Sequence, residues 1–360
     1  MNSSHPNYAT LTVNLSALRA NYALLKSTLG GKACASVVKA NAYGLGVEQV
    51  SKSLWEEGCR HFFVATLKEG IELRSILPDA DIYVFFGVQP GEAKAFCNHK
   101  LIPVLNSMEQ IAAWKPHAAG GIGATLHVDT GITRIGLSEA EAMEIAGDDT
   151  LRKNLGLKLV MSHLACGSDE KHAKNAEQLS RFTKIAKAFD GISTSFANSS
   201  GVFLPADYHF DLARPGCALY GINPTSGANP MQHVATLSAP ILQIRVLAQD
   251  ETVGYGATFT AKKGNRIALT ALGYADGIFR SLGNKGHAMI AGHKVPFAGR
   301  VSMDMIALDV TNIPDSALTD DMCAEFINAD LTVNDMANQC DTIGYEIFTR
   351  IGARVKRLYK

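Results

Sequence analysis

The sequence has no CxxC pair, no net charge and no long apolar run, and each absence removes a class of protein. Its seven cysteines (Cys34, Cys59, Cys97, Cys166, Cys217, Cys323 and Cys340) are scattered and odd in number. That pattern offers neither a disulfide framework nor a metal centre and suits a reducing compartment. Most of them read as small buried hydrophobes. Lysine plus arginine total 34 and aspartate plus glutamate total 34, so the formal charge is zero. A balanced charge speaks against nucleic acid or an anionic membrane as the main partner. The longest apolar runs, such as IYVFFGV, are far too short to span a bilayer. The opening MNSSHPNYATLTVNLSAL has neither a basic n-region nor a continuous apolar h-region, so no secretory signal is expected. There is no low-complexity segment and no short-period repeat beyond alternating strand and helix. A cytoplasmic soluble protein is expected.

What is present is enough apolar residue, 47% of 360, for a large core. That length predicts two domains or one large barrel. Short β-rich runs recur along the first part: ACASVV (33–38), HFFVA (61–65), DIYVFF (81–86), LIPVL (101–105), ATLHVD (124–129), LKLVMSH (157–163), STSFAN (193–198) and DLARPG (211–216). The last is the least strand-like. Amphipathic stretches such as LKEGIELRSIL and NAEQLSRFTKIAKAF lie between them. Strand alternating with helix predicts a parallel sheet, and eight such units a closed (β/α)8 barrel of the TIM type. After about residue 230 the texture changes to β-rich pieces broken by Gly, Pro and Asn, with one evident helix near LTVNDMANQC. The expected division is therefore an α/β barrel over 1–230 and a mostly β domain over 231–360.

In such a barrel the chemistry lies at the carboxyl ends of the strands, and polar residues collect there. Lys39 follows the first strand, in VVKANAYGLG (37–46). A lone lysine is ordinarily a solvated surface charge. At the end of an apolar strand, burial disfavours its ammonium. A neutral amine can condense with an aldehyde to form a Schiff base, and pyridoxal phosphate is the cofactor that most often asks for one. Asp129, Thr130 and Arg134 follow the fifth strand, His163 closes the sixth, Asn198 and Ser199 the seventh, and Arg214 lies at the eighth. NSSG (198–201) and RPGC (214–217) are candidate phosphate loops, with Gly216 allowing close backbone approach and Tyr43 within reach. Taken singly, each glycine-rich turn is simply a turn. Arg134 suits a substrate carboxylate, which a guanidinium clamps with two hydrogen bonds. In the later part, Tyr255 sits between two glycines in VGYGATF (253–259). A tyrosine serves as a base only where cations favour its phenolate, and His163 and Arg214 are candidates for that field.

Together VVKANAYGLG, VDTGITRIGL, SHLA, NSSG, ARPGCALYG, VGYGATF, GYADG, RVSMDM and IGYE resemble the alanine racemases, and in that family's order. The resemblance covers nearly the whole chain. It implies a pyridoxal-phosphate isomerase interconverting L- and D-alanine, for peptidoglycan precursor (D-alanine biosynthesis) or alanine catabolism. It further implies a homodimer with shared active sites. Lys39 would hold the cofactor covalently and act as base on one substrate face. Tyr255 would be the opposite base, supplied by the partner subunit. Arg134 and the amide of Met303 would hold the substrate carboxylate. Tyr43, Ser199, Gly216, Cys217 and Tyr345 would surround the phosphate, with His163 and Asn198 also at the cofactor. Arg214 would face the pyridine nitrogen. Tyr274, Arg280 and Arg300 would line the entrance. Three departures stand out: His127 replaces a lysine, often carbamylated, that orients the arginine, Thr133 stands where a glycine is usual, and CGS (166–168) adds a residue after SHLA. A broad-specificity or serine-preferring racemase is the nearest alternative, and a non-catalytic pyridoxal-phosphate-binding protein a more distant one.

Overall fold

The structure is a computed structural model that describes residues 8–319 and 322–360. The chain divides into two compact units. One runs from Leu18 to Gln232; the other combines the segment up to Ala17 with His233–Lys360. The first strand, β1 (Thr10–Val13), therefore belongs with the C-terminal segment.

In the Leu18–Gln232 unit, β2 (Ala33–Cys34) and β3 (Ser36–Val37) open the barrel. They are followed by β4 (His61–Val64), β5 (Asp81–Val84), β6 (Ile102–Leu105), β7 (Ala124–His127), β8 (Leu157–Met161), β9 (Ser193–Ser195) and β10 (Leu212–Ala213). Strands β3 to β9 pair in sequence order, all parallel. Every residue of β6 and β7 is buried, as expected where helices and barrel interior cover both faces of a strand. The helices form where the amphipathic pattern predicts them, including Leu67–Ile76 and Ala173–Ala188. TLKE starts the first of these with a capping box: Thr66 accepts from the Glu69 amide and Glu69 from the Thr66 amide.

The segment that looks least like a strand closes the ring. On one side Ala35 N donates to Ala213 O and Val37 N to Pro215 O, both at 2.9 Å. On the other, Asp211 N donates to Thr194 O at 3.0 Å and Arg214 N to Ala197 O at 2.8 Å. Pro215 lacks an amide hydrogen, but its carbonyl still accepts.

The second unit is mostly antiparallel. Its long strand β11 (Ala235–Val246) is followed by the β12 (Glu251–Val253) and β13 (Phe259–Ala261) hairpin. Then come β14 (Arg266–Thr270), β15 (His287–Ile290), β16 (His293–Pro296), β17 (Ile306–Asp309), β18 (Cys323–Ile327) and β19 (Lys356–Tyr359). One sheet runs β16-β15-β18-β11-β1-β19, and β14 joins β11 to β17. The expected boundary near residue 230 misplaces the N-terminus, because β1 pairs antiparallel with β11 and parallel with β19. Two α-helices occur among the described residues of this unit, Val333–Gln339 and Gly344–Arg350. The second begins in IGYE without a side-chain cap, so no start signal marked it. No helix among the described residues is long and apolar enough to cross a membrane.

Candidate active site

Lys39 stands two residues beyond β3, partly exposed, with Nζ 5.5 Å from the Phe85 ring centroid. Burial lowers its amine pKa and the Arg134 charge lowers it further, while Glu69 opposes both. Glu69 does not pair with the amine. Its Oε1 accepts from Ala40 N at 2.8 Å, and its Oε2 from Ala65 N at 2.7 Å and Thr66 N at 3.1 Å. Among the described residues no carboxylate forms an ion pair with Lys39.

The four residues after Lys39 form a left-handed turn, with φ of 53°, 54°, 52° and 56° at Ala40, Asn41, Ala42 and Tyr43. Each non-glycine residue in that region costs about 1–2 kcal/mol, and such strain concentrates at functional sites. The turn is held by its surroundings: Ala42 N donates to Val38 O, Val47 N to Asn41 Oδ1, and Ala40 N to Glu69. It buries Tyr43, whose ring meets Tyr220 with centroids 4.8 Å apart. A Cβ on Gly216 would lie 2.5 Å from the Tyr43 hydroxyl. The close approach that Gly216 permits is thus first of all the tyrosine's. Ser199 Oγ accepts from Gly216 N at 2.8 Å and Ala218 N at 3.3 Å, which differs from loop amides left open for a phosphate. Cys217 is buried in the turn that follows, and Asn198 accepts from Gly201 N at 3.0 Å.

Asp129 organises HVDTGITRIG. One carboxylate oxygen accepts from the amides of Gly131, Ile132 and Thr133, and the other from Arg134 N at 3.0 Å. Burial raises its pKa, but these four donors outweigh burial and leave it below the usual value. The Arg134 backbone is fixed while the residue itself is exposed. Thr130 bonds Ser162 Oγ at 2.7 Å and serves the scaffold.

Arg214 is 2% exposed. It donates through Nη1 to Ser195 Oγ and through Nη2 to Ser162 O, while its buried Nε has no partner among the described residues. Burial pulls its pKa down to about 9, which leaves it a cation at neutral pH. His163 is different. Packing, together with the nearby positive charges of Arg214 and Arg134, drives its pKa well below the ordinary value, so the ring is neutral and supplies no cationic field. His127 is also neutral, with a pKa lowered to about 3 by burial, Arg214 and Arg134. Lys39, His127, Arg134, His163 and Arg214 therefore share one electrostatic environment.

The remaining expected positions lie in the other unit. Tyr255 is 71% exposed in a turn between Gly254 (φ 76°) and Gly256 (φ 74°), and Arg300 packs on Gly256, Nη1 2.9 Å from where a Cβ would be. Met303 and Tyr274 are exposed, Arg280 opens a short turn, and Tyr345 is half-buried on the Gly344–Arg350 helix. GYADG and RVSMDM meet directly: Tyr274 N donates to Ser302 O and Ala275 N to Met303 O, both at 3.0 Å. Sequence reasoning missed Glu69 and Asn106, although the TLKE capping box marks the former.

The alanine racemase N-terminal domain family matches residues 13–224, and the alanine racemase C-terminal domain family residues 234–359. An alanine racemase of Rhodospirillum rubrum is 45% identical over 357 residues, covering 98% of this chain and 96% of the relative. A catabolic alanine racemase of Agrobacterium fabrum is 44% identical, covering 97% of this chain and 91% of the relative. The crystal structure of Bartonella henselae alanine racemase, with covalently bound pyridoxal phosphate, superposes with a TM-score of 0.93 at 35% identity, covering 99% of this chain and 100% of that one. Closed barrel, strand-end lysine and β-rich second unit are accounted for together: the chain belongs to the alanine racemase family.

Proposed function

We propose that this chain interconverts L- and D-alanine with pyridoxal 5'-phosphate, as a cytoplasmic homodimer. The observation that carries this reading is the pairing of a burial-depressed amine at Lys39 with a buried Arg214 whose Nε has no partner among the described residues. An unmet buried donor costs about 1–3 kcal/mol, and a ring nitrogen lone pair would satisfy it. The cofactor fits these residues. When bound it supplies an aldehyde for the lysine and an electron sink that acidifies the substrate Cα–H.

The chain's own groups do the rest. Lys39 removes or returns the Cα proton on one face, and Tyr255 from a second copy of the chain does so on the other; two bases suit inversion of a stereocentre. Arg134 and the amide of Met303 hold the substrate carboxylate. Arg214, a cation, keeps the pyridine nitrogen unprotonated, since adjacent positive charges repel. Tyr43, Ser199, Gly216, Cys217 and Tyr345 would hold the cofactor's phosphate, with His163 and Asn198 alongside, and Tyr274, Arg280 and Arg300 would line the entrance. The reaction serves D-alanine supply or alanine breakdown.

Optical rotation of L-alanine, followed with cofactor-loaded protein, tests the reading. Decay to zero rotation, abolished by Lys39→Ala, is expected. Constant rotation with bound cofactor would overturn it.

A further inference from the structure

The loop that carries Met303 is clamped from two sides. On one side the Tyr274 and Ala275 amides hold the Ser302 and Met303 carbonyls at 3.0 Å. Gly273 makes this possible, because a Cβ there would sit 2.2 Å from Met303 O. On the other side Arg354 Nη1 lies 2.7 Å from Asp304 Oδ1. The same guanidinium reaches Asp276, Nε to Oδ1 at 3.0 Å and Nη2 to Oδ2 at 3.5 Å. Asp276 is 4% exposed and also accepts from Gly273 N at 2.8 Å, while its carbonyl accepts from Gly352 N at 3.0 Å. One arginine thus ties together 273–277, 302–305 and the segment after the Gly344–Arg350 helix.

Between the two clamps Met303 keeps an exposed side chain, and its amide hydrogen is taken by no backbone group among the described residues. A rigid loop offering an open N–H is suited to an anionic oxygen, and the direction of that N–H is set by what holds residues 302 and 304. Planarity and a fixed fork let Arg354 hold two carboxylates in one geometry, which a lysine ammonium does not.

We propose that Arg354 is a positioning residue for substrate binding: by clasping Asp276 and Asp304 together it aims the Met303 amide at the substrate carboxylate. This rests on the assignment of Met303 to carboxylate binding under the proposed function. Arg354 touches neither substrate nor cofactor in this reading.

The test compares Asp304→Asn, Arg354→Lys and Arg354→Gln in the cofactor-loaded enzyme. Asp304 is exposed, so Asp304→Asn loosens the loop while leaving the pair between Arg354 and the buried Asp276 intact. Losing one positioned charge-assisted hydrogen bond predicts a KM for alanine raised about tenfold with kcat nearly unchanged. Acetate, a bare carboxylate, should lose inhibitory affinity in parallel, with the visible absorption of the bound cofactor unaltered. Arg354→Gln should weaken both more than Arg354→Lys. Wild-type KM and acetate affinity in Asp304→Asn and Arg354→Lys would overturn the inference, as would a fall in kcat alone. A wild-type protein that binds acetate in an Arg354-dependent way but does not racemise alanine would sink the proposed function and leave the clasp standing.

Discussion

His127 Nδ1 lies 2.8 Å from Asn106 Oδ1, and this contact decides the state of the histidine. Asn106 Nδ2 already donates to Phe85 O at 2.9 Å and Val104 O at 2.8 Å, so Oδ1 is the acceptor and the histidine hydrogen is on Nδ1. Nε2 is left as a buried lone pair without a partner among the described residues. Where relatives are expected to present a carbamate to the arginine, this chain presents a neutral ring.

Acid should therefore destabilise the protein through His127. Its pKa is about 3 when folded and about 6.5 when unfolded. Between those values the unfolded chain binds a proton that the folded chain does not, so stability is full above about pH 6.5 and is lost as pH falls toward 3. One such group contributes a slope of up to about 1.4 kcal/mol per pH unit. Urea unfolding at pH 7 and pH 5 should show this loss, and His127→Gln should reduce it by about one proton. An unchanged slope would refute the assignment.

Thr133 has φ of 57°, a conformation that a β-branched residue rarely adopts. Thr133→Gly relieves that strain at some cost in chain entropy, for an expected net gain of about 0.5–1 kcal/mol. The hydrogen bond that the residue 133 amide donates to Asp129 Oδ1 survives the change. A lowered melting temperature in Thr133→Gly would count against the strain.

Gly216→Ala places a methyl 2.5 Å from the Tyr43 hydroxyl. Overpacking of this kind costs about 1–3 kcal/mol, and the protein should retain cofactor more weakly on dialysis. Adding Tyr43→Phe removes the clashing oxygen, leaving the ring carbon at 3.1 Å as the nearest atom. The double variant should melt at a higher temperature than Gly216→Ala alone. Additive losses would show that the hydroxyl is not what the methyl meets.

Glu69→Gln should move the titration of Lys39. Glu69 raises the lysine pKa against burial and Arg134, so its neutralisation lets the amine deprotonate at lower pH. In cofactor-free protein, the pH midpoint for recombination with pyridoxal phosphate should shift downward. The variant should also melt earlier, because one acceptor of the Ala40, Ala65 and Thr66 amides becomes a donor. An upward shift would reverse the assigned role.

Much of the barrel was legible because its signals are local. All eight β-rich runs contain strand or the residues that close the ring, and both amphipathic stretches singled out between them are helices. The motifs that mark the family survive as contiguous strings. Other features left no contiguous trace. ANAY holds only one residue, Asn41, with a known tolerance for left-handed backbone, yet four in a row adopt it. Arg354 meets Asp276 and Asp304 across 78 and 50 positions, so nothing near it in the chain announces the clasp.

By itself the sequence determined the alternation of strand and helix, the residue types at the strand ends and the family, since each is written in short segments whose periodicity and chemistry do not depend on distant neighbours. Tertiary structure alone decided that β1 belongs with the second unit and that His163 is neutral while Arg214 keeps its charge. Strand partners are hydrogen bonds between remote residues, and protonation follows burial and the field of groups brought near only by folding. Both are properties of the folded neighbourhood.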